Sequence, residues 1–247
     1  QARTDNAELR DYLELVRTLF VEHFRRINQT INDNLDRDAL VLYDNFKQVM
    51  QGWEHWGFFA YNDIGRSFSW SLAFPEYQAG SGQTGISELF DLPGYDGLIT
   101  PHHNYARGIG GVYEPEGIAD SMILRGKFFH VEMDSRSHLK DNPGGGGLRY
   151  ADGIGQARNI REWEAITWRN LASGFTRGFH SYWMEFGGGW FHDPAIQEVT
   201  GRQIKVMDES AGWVHEDVPG IAMIIDDTSV METNGNGAYA NEAIIWE

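Results

Sequence analysis

Residues 127–138 read Lys-Phe-Phe-His-Val-Glu-Met-Asp-Ser-Arg-Ser-His, an apolar run that passes directly into charge. In a β-strand alternate side chains share a face. His130, Glu132 and Asp134 therefore fall on one face, opposite Phe129, Val131 and Met133. A carboxylate held at such a strand end can act as a nucleophile or as a general acid/base. Two carboxylates two residues apart also repel, which raises the pKa of one of them. The structural alternative is an ion pair of these carboxylates with Arg136 or Arg158.

Other chemistry-bearing residues lie in comparable places. Glu185 follows Tyr182 and Trp183, and on a neighbouring strand it could face Glu132 as a carboxylate pair. Its alternative is to accept hydrogen bonds from a loop backbone. Tyr61, Trp70, Tyr105, Trp183, Trp190 and Phe191 all stand at or after expected strand ends. Sugar rings stack their C–H faces on such rings while their hydroxyls seek carboxylates, amides and Arg, so loops rich in both suit a carbohydrate cleft. Some of these rings must serve the core instead. His102, His103, His130, His138 and His192, with Asp134, offer metal-ligating types. No pair has the His-x-x-x-His helical spacing of a specific site, so hydrogen bonding is their default role and no metal is assigned. Gly108-Ile-Gly-Gly111 lacks the dinucleotide fingerprint, so no nucleotide cofactor is expected. Asn28-Gln29-Thr30 matches a glycosylation sequon, a short and unspecific pattern.

The elements that must position these residues follow from periodicity. Leu9, Leu13, Val16, Phe20 and Phe24 recur at helical spacing and predict a helix over 6–28, with Asn6 as its cap. Further helices are expected at 35–50, 83–91, 156–173 and 194–207, and strands at 56–61, 97–100, 127–134, 179–186 and 221–225. Alternation of this kind implies parallel β/α units. Strands that each run into a polar, aromatic loop at their C-terminal ends fit a (β/α)8 barrel, whose sites lie on that face. Four units make about half a barrel. An open doubly wound sheet is the alternative.

Composition bounds the partners. The 247 residues are 41% hydrophobic, enough for a large core. A net charge of −16 repels nucleic acid and anionic lipid but is compatible with neutral sugars. With no cysteine there is no disulfide, thiol catalysis or Cys-based zinc site, and the compartment is not fixed by that. No apolar run approaches the ~20 residues of a membrane span. The sequence starts at Gln1 with no signal-like apolar segment, so a processed or partial chain is expected.

Taken in series, several segments resemble a known family: Gly57-Phe-Phe-Ala-Tyr61, Tyr95-Asp-Gly-Leu-Ile-Thr-Pro101, Asn104-Tyr105-x-Arg107, Glu132-x-Asp134-x-Arg136-x-His138, Trp168-Arg-Asn-Leu-Ala172, the Tyr182-Trp183 pair and Gly189-Trp-Phe191. The series, over about 50–230, resembles β-galactosidase-like glycoside hydrolases related to family 42, in the retaining clan with (β/α)8 barrels. The resemblance implies that the strands at 56, 97, 127 and 179 are barrel strands five to eight. Residues 1–215 would be the C-terminal portion of the catalytic barrel, and 216–247 the start of a following α/β domain. It makes Glu132 the nucleophile, at the end of strand seven. It gives Asp134 and Arg136 supporting or substrate-binding roles, and Asn104, Tyr105, Arg107, Tyr61, Trp183, Glu185 and Trp190 are the further candidates for substrate contact. It implies a carbohydrate substrate, no cofactor, and either a homo-oligomer or a companion N-terminal half of the barrel. The family's acid/base, a Glu at the end of strand four, has no counterpart in this sequence.

Overall fold

The computed structural model describes residues 7–36, 39–44, 85–102, 108–111, 115, 117–139, 156–185 and 188–215, and singly 220, 222, 224, 226 and 228. The expected strand 56–61 and the glycine run at 143–147 lie outside the described residues.

Among the described residues four strands form one sheet in the order β1 (Leu42–Asp44), β2 (Gly97–Pro101), β3 (Phe128–Met133) and β4 (His180–Trp183). β1 runs parallel to β2 with Leu42 opposite Gly97, and β3 runs parallel to β4 with His130 opposite His180. Helices alternate with the strands: α1 (Ala7–Asn34), α2 (Ile86–Phe90), α3 (Ala119–Leu124), α4 (Ile160–Arg177) and α5 (Pro194–Ser210). The class is α/β, with a parallel sheet whose strand order follows the sequence.

The chain divides into two compact units. The first comprises 1–99, 124–128 and 222–247. Here α1 contacts α2, and Arg17 pairs with Glu88. Asn28 is buried: its Nδ2 donates to Pro93 O at 3.3 Å and its Oδ1 accepts from Tyr43. The sequon asparagine is thus consumed inside the fold, and its amide is closed to glycosylation. The Tyr43 and Tyr95 rings stack with centroids 5.7 Å apart.

β1 corrects the sequence reading, which placed a helix over 35–50. Val41 N–H donates to Asp96 Oδ2 at 2.7 Å and Val41 O accepts from Asp96 N at 3.1 Å. Those bonds, and pairing with β2, hold Leu42–Asp44 extended; tertiary context overrides a weak local preference. The expected strand 221–225 is not formed at its described residues: Ala222 and Ile224 lie outside any strand, and Ile224 is 94% exposed.

The second unit comprises 100–123 and 129–221. β3 alternates as expected, with Phe129, Val131 and Met133 buried and His130 and Glu132 half-buried. α3, which the sequence reading left unassigned, is short and buries Ala119 and Met122. α4 starts at a cap: Asn159 Oδ1 accepts from Glu162 N at 3.1 Å, and the Glu162 carboxylate accepts from Arg158 N at 2.9 Å. It ends at Gly178, whose φ of 81° is left-handed and whose N–H donates to Gly174 O at 2.8 Å. These caps move the helix from the expected 156–173 to 160–177. α5 is capped by Asp193 on Ala195 N at 2.7 Å, with Pro194 in its first turn.

α4 and α5 pack through Ala157, Trp163, Ile166, Ile196 and Val199, with Leu139, Ile160, Trp183 and Phe191 against them. Each large apolar side chain buried in such a cluster contributes about 1.5–3 kcal/mol. Gln203 Nε2 donates to Thr167 Oγ1 at 2.7 Å inside the same layer.

Candidate active site

Register builds the site. In the parallel β3–β4 pair, His130 stands opposite His180, and Glu132 opposite Tyr182. Period-two alternation puts these four on one face, while Val131 and Ser181, both buried, belong to the other. Tyr182 OH donates to Glu132 Oε2 at 3.0 Å. A phenol donating to a carboxylate stabilises its ionised form and fixes its direction. The His130 ring meets Tyr182 edge-on at 5.2 Å and His180 at 6.4 Å. Burial holds the His130 imidazole below the ordinary histidine pKa, and the neighbouring His180 pushes it the same way. A backbone hydrogen bond at Ser181 opposes them. The neutral form of the His130 imidazole is thus favoured.

Glu132 is not locked to Arg158. That arginine bonds Glu162 within its own helix, Nε to Oε1 at 2.8 Å.

Asp134 lies just past the last residue of β3 and is buried, with Oδ1 3.3 Å from His102 Nε2. The same His102 nitrogen lies 3.4 Å from Ser135 Oγ, which accepts from Asn170 Nδ2 at 3.2 Å. In a nucleophilic Ser-His-Asp triad the two ring nitrogens serve different partners. Here serine and aspartate crowd one nitrogen, so the cluster is a buried polar brace and not an activated serine.

The remaining expected residues separate. Glu185 accepts from Gly189 N at 3.2 Å and Trp190 N at 2.7 Å, so its carboxylate serves the next loop's backbone. Gly188 and Gly189 both have positive φ, 82° and 90°, which lets that loop turn its N–H groups inward. Trp183 packs on the α4–α5 cluster. Trp190 is only 1% exposed and presents no open ring face, while its carbonyl accepts from Ser137. The Arg136 carbonyl accepts from Ala157 N at 3.0 Å, which ties the strand exit to the start of α4. Tyr61, Asn104, Tyr105 and Arg107 lie outside the described residues, as do Trp70 and His103.

Among the described residues no group of three or more His, Cys, Asp or Glu could hold a metal ion. His102 and Asp134 meet, but among the described residues they are not part of such a group. No helix among them is long and apolar enough to cross a membrane.

The sequence reading missed Tyr182 as the partner of Glu132, although it noted Tyr182 beside Trp183. Parity was the available signal: His180 and Tyr182 alternate with Ser181 and Trp183, so the tyrosine and not the tryptophan shares the Glu132 face. Ser135, Arg169 and Asn170 were also missed, since nothing local marks a serine or an asparagine as half of a long-range pair.

No family model, curated protein or solved structure matches this chain.

Proposed function

We propose that this chain carries the nucleophile strand of a retaining β-glycosidase that acts on β-galactosides, with Glu132 as the nucleophile. The observation that carries the reading is the Tyr182 OH to Glu132 Oε2 bond at 3.0 Å, near the C-terminal ends of two paired parallel strands. A half-buried carboxylate, oriented by a phenol on a face of polar and aromatic groups, is what nucleophilic attack at an anomeric carbon needs. The parallel sheet and its sequential strand order support the finer fold, the C-terminal half of a (β/α)8 barrel over 1–215, because a doubly wound sheet reverses its order at a switch point.

In the first step a Glu132 oxygen bonds to the anomeric carbon as the bond to the leaving oxygen breaks. The leaving group departs with the bonding electron pair and takes a proton from a general acid. Water then attacks the glycosyl-enzyme, loses a proton to the same residue as base, and releases Glu132 as carboxylate. The acid/base would come from barrel strand four, outside the residues that β1–β4 and their loops supply. An aryl leaving group acidic enough to depart as a phenolate needs no such acid in the first step.

That separation permits a test on the 247 residues alone. A 2,4-dinitrophenyl 2-deoxy-2-fluoro-β-galactoside should release one equivalent of dinitrophenolate and leave a fluorosugar ester on Glu132, read by peptide mass spectrometry. Release with no ester on Glu132 would defeat the reading. Reversible sugar binding without release would favour a non-catalytic carbohydrate-binding barrel.

A further inference from the structure

The buried brace beside the site continues further than Asp134, and its far end is an arginine. Arg169 Nη1 donates to two backbone carbonyls of one turn, Gly108 O at 2.6 Å and Gly111 O at 2.9 Å. The turn is closed by Gly111 N on Gly108 O at 3.1 Å. The other edge of the guanidinium reaches Asn170 Oδ1, from Nη2 at 2.9 Å and Nε at 3.2 Å. Asn170 is fully buried and passes the contact on through its amide, Nδ2 to Ser135 Oγ at 3.2 Å. Ser135 Oγ is 3.4 Å from His102 Nε2, and that nitrogen is 3.3 Å from Asp134 Oδ1.

We infer that Arg169 and Asn170 are positioning residues that fix the exit of β3, and through it the Glu132 carboxylate, against the loop that follows β2. Three features support this. Hydrogen bonds run without a break from the Gly108–Gly111 turn through Asn170 to Ser135 and His102, and Ser135 lies three residues after Glu132. His102, Ser135 and Asn170 are each almost completely removed from water, where a polar group left without its partner is costly. The chemistry is directional as well. Arginine's rigid fork can hold two carbonyls on one edge and an amide oxygen on the other, which a lysine cannot. An asparagine can accept from the arginine with its oxygen and donate to the serine with its nitrogen, which an aspartate cannot. His102 Nε2 stands within 3.4 Å of both Ser135 Oγ and Asp134 Oδ1, and a brace of this kind calls for the ring hydrogen on that nitrogen.

The proposal rests on Glu132 being the nucleophile for its kinetic consequence, but not for its geometry, so two readouts are needed. Arg169→Lys keeps the charge and loses the fork; Asn170→Asp keeps the acceptor and loses the donor. In both, the rate constant for fluorosugar labelling of Glu132 should fall about tenfold, because small displacements of a reacting group are expensive in rate. The concentration giving half-maximal labelling should stay within about twofold, since neither residue is placed on the sugar. Nitrogen-15 NMR of the histidine rings should show His102 with its hydrogen on Nε2, and that signal should shift in each variant. A His102 hydrogen on Nδ1, or ring signals unmoved in both variants, would overturn the inference. Labelling rates equal to the unsubstituted chain's would also overturn it. If the unsubstituted chain takes no label at all, the glycosidase reading fails, and the His102 signals still decide whether the brace exists.

Discussion

The two faces of the β3–β4 pair are made from the same ten residues of strand, yet they solve different problems. On one face Phe129, Val131, Met133 and Ser181 are buried, and Phe129 meets Phe179 edge-on at 5.8 Å. On the other, His130, Glu132 and Tyr182 are half-buried and His180 is exposed. The first face is interchangeable in its chemistry and strict in its volume. The second is loose in volume and strict in its donors and acceptors. Substitutions on the packed face should therefore cost stability, and those on the polar face should cost chemistry while the fold holds.

The largest stability effect should come from the packed face. Phe129→Ala removes a ring 1% exposed and should cost about 3–5 kcal/mol in urea or thermal unfolding. A loss under about 1 kcal/mol would mean the face is not the core described. Next comes the seam between α4 and β4. A Cβ at Gly174 would stand 2.7 Å from the Phe179 carbonyl oxygen, closer than real contacts allow. Gly174→Ala should therefore destabilise by about 1–3 kcal/mol, although alanine is the better helix former. A gain in melting temperature would contradict that packing.

Tyr182→Phe probes the polar face directly. It removes one hydrogen bond to a charged group and leaves the ring, so the stability change should be about 1–2 kcal/mol at most. Fluorosugar labelling should slow far more than that suggests, because the carboxylate loses its orientation as well as its donor. If stability falls and labelling does not, the contrast between the faces collapses.

The smallest effect is a pH dependence. Burial lowers the folded-state pKa of His130 below 6.5, so in the window beneath 6.5 the unfolded chain binds more protons than the folded one. The stability contributed by neutral His130 is full above that value and is lost as pH falls toward the lowered one. His130→Gln should flatten this part of the pH–stability curve while leaving stability at pH 8 nearly unchanged. An identical slope in the variant would place the acid sensitivity elsewhere.

The contrast also explains what the sequence could disclose. Alternation in β3 was legible because strand parity and burial follow one rule, and it separated Phe129, Val131 and Met133 from His130 and Glu132. The β/α order was legible for the same reason at β2, β3, α4, β4 and α5. Strand parity applies only as far as Met133, where β3 ends, so it could not disclose that Asp134 lies buried 3.3 Å from His102. β1 was read as helix because Val41-Leu-Tyr43 carries no decisive period, and the contact that fixes it, Asp96, is 55 positions away. Glu185 and Trp190 fit a sugar cleft by residue type, but the turn at Gly188 and Gly189 commits one to backbone N–H groups and buries the other. Residue types announced the chemistry; long-range partners decided which residues were free to perform it.

The central claim is that Glu132 attacks an anomeric carbon, and labelling of the 247-residue chain with the dinitrophenyl fluorogalactoside tests it most directly. The account predicts one equivalent of dinitrophenolate, a fluorosugar ester on Glu132, and neither in Glu132→Gln. An ester on another residue, or release that persists in Glu132→Gln, would contradict it.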